Sequence, residues 1–180
     1  MKDNPTLDKV LPQLGEFYNK DKGARFVLKY AAQFPEGAIN AIEFEKMVEI
    51  FDQFGNETKR VYDFVIKKKK YELKAWTKWA HWSDEAFLNQ FVKDIASIGD
   101  LENLQWVFMK TEDITEESLH KYVIKAIDKN RDLKILVNMN SDKLTNALGI
   151  KDINNINKIE KLTKYFSDKD NFEKIFKVVE

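Results

Sequence analysis

Residues 60–76 read Arg60-Val61-Tyr62-Asp63-Phe64-Val65-Ile66, then a run of lysines, then Lys70-Tyr71-Glu72-Leu73-Lys74-Ala75-Trp76. Both flanks are enriched in β-branched and aromatic residues with a period near two, and the lysines between them predict a hairpin turn. Side chains alternate along a strand, so Glu72 and Lys74 share one face while Tyr71, Leu73 and Ala75 share the other. Asp63 interrupts an otherwise apolar first strand. Antiparallel pairing is expected to bring its carboxylate beside that of Glu72, so that two acids and an ammonium converge on one patch of sheet.

Working outward, the period changes to that of helices. Upstream, Leu7, Val10, Leu11 and Leu14, then Phe26, Val27, Tyr30, Ala31 and Phe34, predict two helices separated by the polar Asn19–Gly23. Ala38 to Phe54 reads as a third helix, ended by Gly55. On its helical wheel Glu45, Lys46, Glu49, Asp52 and Gln53 form the polar sector, while Glu43 falls among Ile39, Met47, Ile50 and Phe54. Downstream, Ser83 is a good N-cap for a helix over Asp84 to Ile98, and Leu104–Met109 reads as a strand. A helix from Thr115 to about Lys129 and a covered strand over Leu133 to Met139 follow. Ser141 to Glu180 reads as helical, with Ile150, Ile153, Ile156, Ile159, Leu162 and Phe166 as its apolar positions.

That order predicts an α/β fold, a mixed sheet flanked by helices, with helical additions at both ends. The expected organisation is one compact domain: a helical lead-in over 1–37, a core over 38–140 and a helical extension over 141–180. A chain of 180 residues, 43% hydrophobic, is long enough for one core of that kind. Thirty basic residues balance thirty acidic ones, so no global field steers the protein toward polyanions. The charge is local instead: Lys59 to Lys78 carries eight basic residues against Asp63 and Glu72, a net +6. With no cysteine and only His81 and His120, thiolate and zinc-type sites are excluded or improbable, and any metal is expected to take oxygen ligands. No stretch of about 20 apolar residues is present, so no membrane contact is expected.

Carboxylates held close together repel unless a cation lies between them, and Mg²⁺ suits oxygen ligands and water. An ammonium beside such an ion is placed to orient water and to offset charge building on a phosphoryl group. The acid on one strand and the Glu-x-Lys on the next resemble the PD-(D/E)xK nuclease superfamily, with Tyr62 standing where the motif's name has Pro. The resemblance is closest to C-terminal nuclease domains of bacterial polymorphic toxins. It rests on the Asp-Phe … Tyr-Glu-Leu-Lys hairpin, on Asn89-Gln90-Phe91-Val92-Lys93-Asp94 and on Trp106-Val107-Phe108, and covers about Ala38 to Lys110.

The resemblance implies a restriction-endonuclease-like sheet and a phosphodiester hydrolase using Mg²⁺ or Mn²⁺, with DNA slightly favoured over RNA as substrate. Asp63 and Glu72 would be the metal ligands and Lys74 the residue that positions or activates water. Glu43, a charge on an apolar face, is the candidate third acid, with Glu45 as the fallback, and Gln90 the supporting polar residue from the next helix. Arg60, Lys67, Lys68, Lys69, Lys70 and Lys78 are expected to bind nucleic-acid phosphates. The resemblance further implies a larger secreted carrier from which the segment is cut, action in a target cell's cytoplasm, and a cognate immunity protein.

Plainer readings stand beside these. A solvated sheet face with cross-strand ion pairs explains the acids and lysine, and lysines protect a hairpin from edge pairing. An aromatic corner explains Trp76, Trp79 and Trp82 better than base stacking does, and packing explains His81 and His120. The alternative for the whole chain is a non-enzymatic binding protein, such as an immunity or adaptor protein.

Overall fold

A computed structural model describes residues 3–51, 56–79, 83–98 and 101–180. Two 3-10 turns, Leu7–Lys9 and Leu11–Gln13, lead into α1 (Tyr18–Ala31) and the single turn α2 (Glu36–Ile39). Then come β1 (Ile42–Phe51), β2 (Glu57–Ile66), β3 (Lys69–Lys74), α3 (Asp84–Ile98), β4 (Leu104–Met109) and α4 (Glu116–Leu133). The chain closes with α5 (Ser141–Leu148), α6 (Lys158–Ser167), α7 (Lys169–Ile175) and β5 (Phe176–Val179). The five strands form one mixed sheet in the order β1-β2-β3-β4-β5, antiparallel from β1 to β3 and parallel from β3 to β5.

Helices cover both faces. On one, Phe26, Val27 and Tyr30 of α1 pack with Val10 against Ile42, Phe44, Phe64, Ile66, Tyr71, Leu73 and Val107. On the other, Phe87, Phe91 and Ile95 of α3 join residues of α4 to α7 over Tyr62, Val65, Trp106, Phe108 and Phe176. Phe91 and Trp106 are fully buried there, and Phe87 meets Trp106 edge-on at 5.4 Å. Trp76 and Trp79 pack in this layer too, Trp79 stacking on Tyr122 at 4.6 Å. Trp82 and His81 lie outside the described residues.

The hairpin turns at Lys67 and Lys68, with Lys67 in the left-handed region (φ 57°). Ser83 accepts from the Ala86 N–H to open α3, and Thr115 forms a reciprocal capping box with Ser118 to open α4.

Four expectations are corrected. The segment read as a helix over 38–54 is mainly strand β1, paired with β2 from Ile42↔Ile66 to Phe51↔Glu57; 52–55, including Gly55, lie outside the described residues. Its residues satisfy both periods, and the long antiparallel ladder outweighs the helical one. The N-terminal segment makes only 3-10 turns, while Asn19–Gly23, read as a loop, is the start of α1. Leu133–Met139 is not a strand but the end of α4 followed by turns, and the place beside β4 is taken by β5. There α4 ends on a left-handed cap at Lys134, the Leu136 N–H donates to Asn130, and the buried Lys158 ammonium donates to the Val137 and Met139 carbonyls. Last, the C-terminal extension is not helical throughout, since it supplies edge strand β5.

Candidate functional site

Between β2 and β3 the backbone ladder stops at Phe64↔Tyr71, one step short of Asp63 and Glu72. The Leu73 N–H donates instead to Asp63 Oδ2 at 2.5 Å, so a side chain takes the place of a backbone carbonyl and the strands part around it. At the same level β1 carries Glu45 at φ 47°, a conformation costing about 1–2 kcal/mol for a residue with a Cβ. Both strands turn over there. Phe44 and Phe64 face the α1 layer, whereas Tyr62 and Val48 pack in the α3 layer.

Glu72 and Lys74 face α3, which presents Gln90 and Asp94 four residues apart on one side. The Lys74 ammonium pairs with Glu72 Oε1 and donates to Gln90 Oε1 at 3.2 Å. The other Glu72 oxygen takes an Arg60 guanidinium nitrogen at 2.8 Å. Arg60 Nε donates to Asp94 Oδ1 at 2.8 Å, and the Trp106 indole N–H donates to Asp94 Oδ2 at 2.9 Å. Asp94 is fully buried, and Glu72 and Arg60 nearly so.

Charge decides the behaviour of this network. Arg60 and Lys74 are matched by Glu72 and Asp94, which leaves the half-buried Asp63 as a surplus carboxylate. Burial, then repulsion from Glu72 with a smaller push from Glu45, drives its pKa up to about 8, against the pull of the Leu73 N–H and Lys74. Burial likewise raises Asp94, with Arg60 opposing the rise. On Arg60, burial opposes the charge, but Asp94 and Glu72 outweigh it and raise its pKa.

A folded-state pKa above the unfolded value means that the native protein holds an extra proton between about pH 4 and pH 8. Metal-free stability is therefore expected to fall as pH rises across that window, with a slope from Asp63 no steeper than about 1.4 kcal/mol per unit, and to level off above it. Urea unfolding of wild type and Asp63→Asn at pH 5 to 9 isolates this contribution. The variant should lose that part of the slope, and equal slopes would contradict the assignment.

Of the residues singled out from sequence, Asp63, Glu72, Lys74 and Gln90 are brought together. Glu43 is not, because the helix that placed it does not exist; its carboxylate pairs with Lys46 and is about half exposed. Glu45 is the acid of β1 that acts on Asp63, and it also accepts from the Gln13 amide at 3.2 Å. Arg60 is a buried partner of two acids, not a phosphate-binding group. Lys67 and Lys68 are exposed at the hairpin tip, and Lys69 and Lys70 lie half-buried over the Tyr71 and Tyr62 rings. At a rise of about 3.3 Å per residue, Lys69 sits about 17 Å along β3 from Lys74. Lys67 and Lys68 at the tip are thus the part of the run farthest from the Lys74 end, whereas Lys70 lies two residues from Glu72 on the same strand and within electrostatic reach of Asp94, and Lys78 alone of the proposed lysines follows the Lys74 end of the strand. His120 packs edge-on against Phe172 and bonds the Phe166 carbonyl.

Asp94 is a further member of the network, and the sequence carries a signal for it. It falls three residues after Phe91 and seven after Phe87, on the apolar stripe of α3, and a charge there needs a buried partner.

Asp63 and Glu72 form an all-oxygen donor pair suited to an ion that takes one or two carboxylates and keeps several waters. The surplus negative charge at Asp63 fits a cation in place of its proton. Among the described residues no three His, Cys, Asp or Glu side chains converge into a closed metal cage. No family, curated protein or solved structure matches the chain.

Proposed function

We propose that the protein is a metal-dependent nuclease of the PD-(D/E)xK type, with a restriction-endonuclease-like sheet, hydrolysing phosphodiester bonds. The observation carrying this reading is the surplus carboxylate of Asp63 beside a Glu72–Lys74 pair, at the point where β2 and β3 separate. The antiparallel β1-β2-β3 meander followed by a helix and the parallel β4 supports it as well.

Asp63 and Glu72 would hold Mg²⁺ or Mn²⁺. Bound there, the ion supplies positive charge to a phosphoryl oxygen and lowers the pKa of water. Arg60 pairs with Glu72 and fixes its orientation. Lys74, held between Glu72 and Gln90, orients water and offsets negative charge as water adds to phosphorus, the ester P–O bond breaks and the departing sugar oxygen takes up a proton. Gln90 fixes the direction of the ammonium. On the toxin resemblance, the domain is delivered as part of a larger secreted carrier, acts in a target cell's cytoplasm, and is blocked by an immunity protein; DNA is the favoured substrate. No described helix is long and apolar enough to cross a membrane.

The test is incubation with plasmid DNA and with total RNA in Mg²⁺, Mn²⁺ or EDTA. Cleavage of at least one polymer with metal, absent in EDTA, is expected; no cleavage of either with either metal contradicts the reading. One observation favours a second reading. Both Glu72 oxygens are already paired with cations, as in a purely structural ion-pair network, and a non-enzymatic binding protein would retain that network without cutting.

A further inference from the structure

Beside the end of β3, on the wall formed by α1, lies a cavity of about 420 Å³. It is lined by Tyr18, Asn19, Lys22 and Gly23 from α1 and by Leu73 to Thr77, with Lys74 among them. Its volume lies within the roughly 300–1,000 Å³ that hold small ligands. A single nucleotide unit fits such a space, and a duplex does not.

Three features of the wall point to an anionic, partly aromatic occupant. Lys22 is half-buried and has no hydrogen bond or ion pair among the described residues. Its neighbour Asp21 is committed to Arg25 and to the Gly15 N–H. Burial lowers the Lys22 pKa and no carboxylate restores it, so the ammonium would gain from an anion. Tyr18 is 76% exposed at the rim, next to Phe17 at 87%. Two large rings so exposed are placed to stack. Gly23, inside α1, is the third. A Cβ there would meet nothing within 4 Å, so no packing demands glycine at a position where it weakens the helix relative to Ala. Its bare backbone instead allows a ligand to approach the helix closely.

We propose that this cavity receives a single-stranded stretch of the substrate, with Lys22 holding a phosphate adjacent to the one that is cut and Tyr18 stacking on an unpaired base. The inference rests on the nuclease reading and specifies its substrate as nucleic acid that is unpaired at the site. Lys74 is the residue the two share: it lines the cavity at the end of β3, and its ammonium, turned to Glu72 and Gln90 on the α3 side, belongs to the acid–amine group.

The test measures fluorescence anisotropy of a labelled 12-nucleotide single strand and of the matching duplex with the full chain in EDTA, alongside metal-dependent cleavage of both. Lys22→Glu and Tyr18→Ala should each weaken single-strand binding about tenfold or more. Lys22→Ala should flatten the salt dependence by about 0.7 in the slope of log K against log salt. Gly23→Glu should block binding, and Lys67→Glu at the remote hairpin tip should leave it within about twofold. Thermal melting checks that the variants fold, which is expected because Tyr18 is exposed, Lys22 has no hydrogen bond or ion pair to lose among the described residues, and a Cβ at Gly23 meets nothing within 4 Å. If wild type cuts nucleic acid but Lys22→Glu and Tyr18→Ala bind the strand as wild type does, or lose duplex and strand binding equally, this inference falls alone. If wild type neither binds nor cuts either substrate, the nuclease reading falls and takes it along.

Discussion

Replacing Arg60 with Met is expected to destabilise the fold by about 3–5 kcal/mol, a large share of the roughly 5–15 kcal/mol that holds a domain of this size together. The guanidinium joins three strands and a helix: it starts on β2, pairs with Glu72 on β3 and with Asp94 on α3, and Asp94 in turn takes the Trp106 indole of β4. Its removal leaves Asp94 buried without its cation and Glu72 with Lys74 alone. Urea unfolding measures the loss, with Lys67→Ala at the exposed turn as the comparison, expected within about 0.5 kcal/mol of wild type. Arg60→Met combined with Asp94→Leu should recover part of the deficit, because removing both charges costs less than stranding one. A loss below about 1 kcal/mol for Arg60→Met would show that the pairs contribute little.

Replacing Lys74 with Ala is expected to lower the cleavage rate by about 10²–10³-fold, the effect of removing one group that stabilises developing charge at a phosphoryl centre. The fold should tolerate the change, since Glu72 keeps Arg60 and Gln90 sits at the edge of the network. Lys74→Arg keeps the charge but spreads it over a planar fork, and should retain more activity than Ala and less than wild type. Rates taken at saturating and at low substrate separate the two roles. A loss confined to low substrate would make Lys74 a binding residue only, and an unchanged rate in Lys74→Ala would remove it from the chemistry.

Much of the site was legible because it depends on short-range rules. Alternation along Tyr71-Glu72-Leu73-Lys74 puts the acid and the amine on one face, and the turn at Lys67 and Lys68 sets a register that runs to Phe64↔Tyr71, the step before Asp63 and Glu72. The α3 boundaries follow from Ser83 and the Phe87-Phe91-Ile95 stripe. What was illegible depends on partners distant in the chain. Ile42 to Phe51 carries apolar residues that serve a helix or a strand equally well, and pairing with β2 decides between them. A helical wheel turns Glu43 inward, whereas the strand pairs Glu43 with Lys46 and brings Glu45 to act on Asp63. The short β5 has too few residues to show a period, and it becomes a strand because β4 offers it an edge. Arg60 looked like one basic residue among many, since nothing local reveals that Asp94, 34 residues away, is its partner.

The most direct measurement is a Mn²⁺ titration followed by electron paramagnetic resonance, on wild type and on Asp63→Asn, at pH 6 and pH 8. Wild type should bind Mn²⁺ stoichiometrically and more tightly at pH 8, where the Asp63 proton is more easily displaced, and the variant should lose that site. Absence of a stoichiometric site in wild type, or equal binding by Asp63→Asn, would contradict the account.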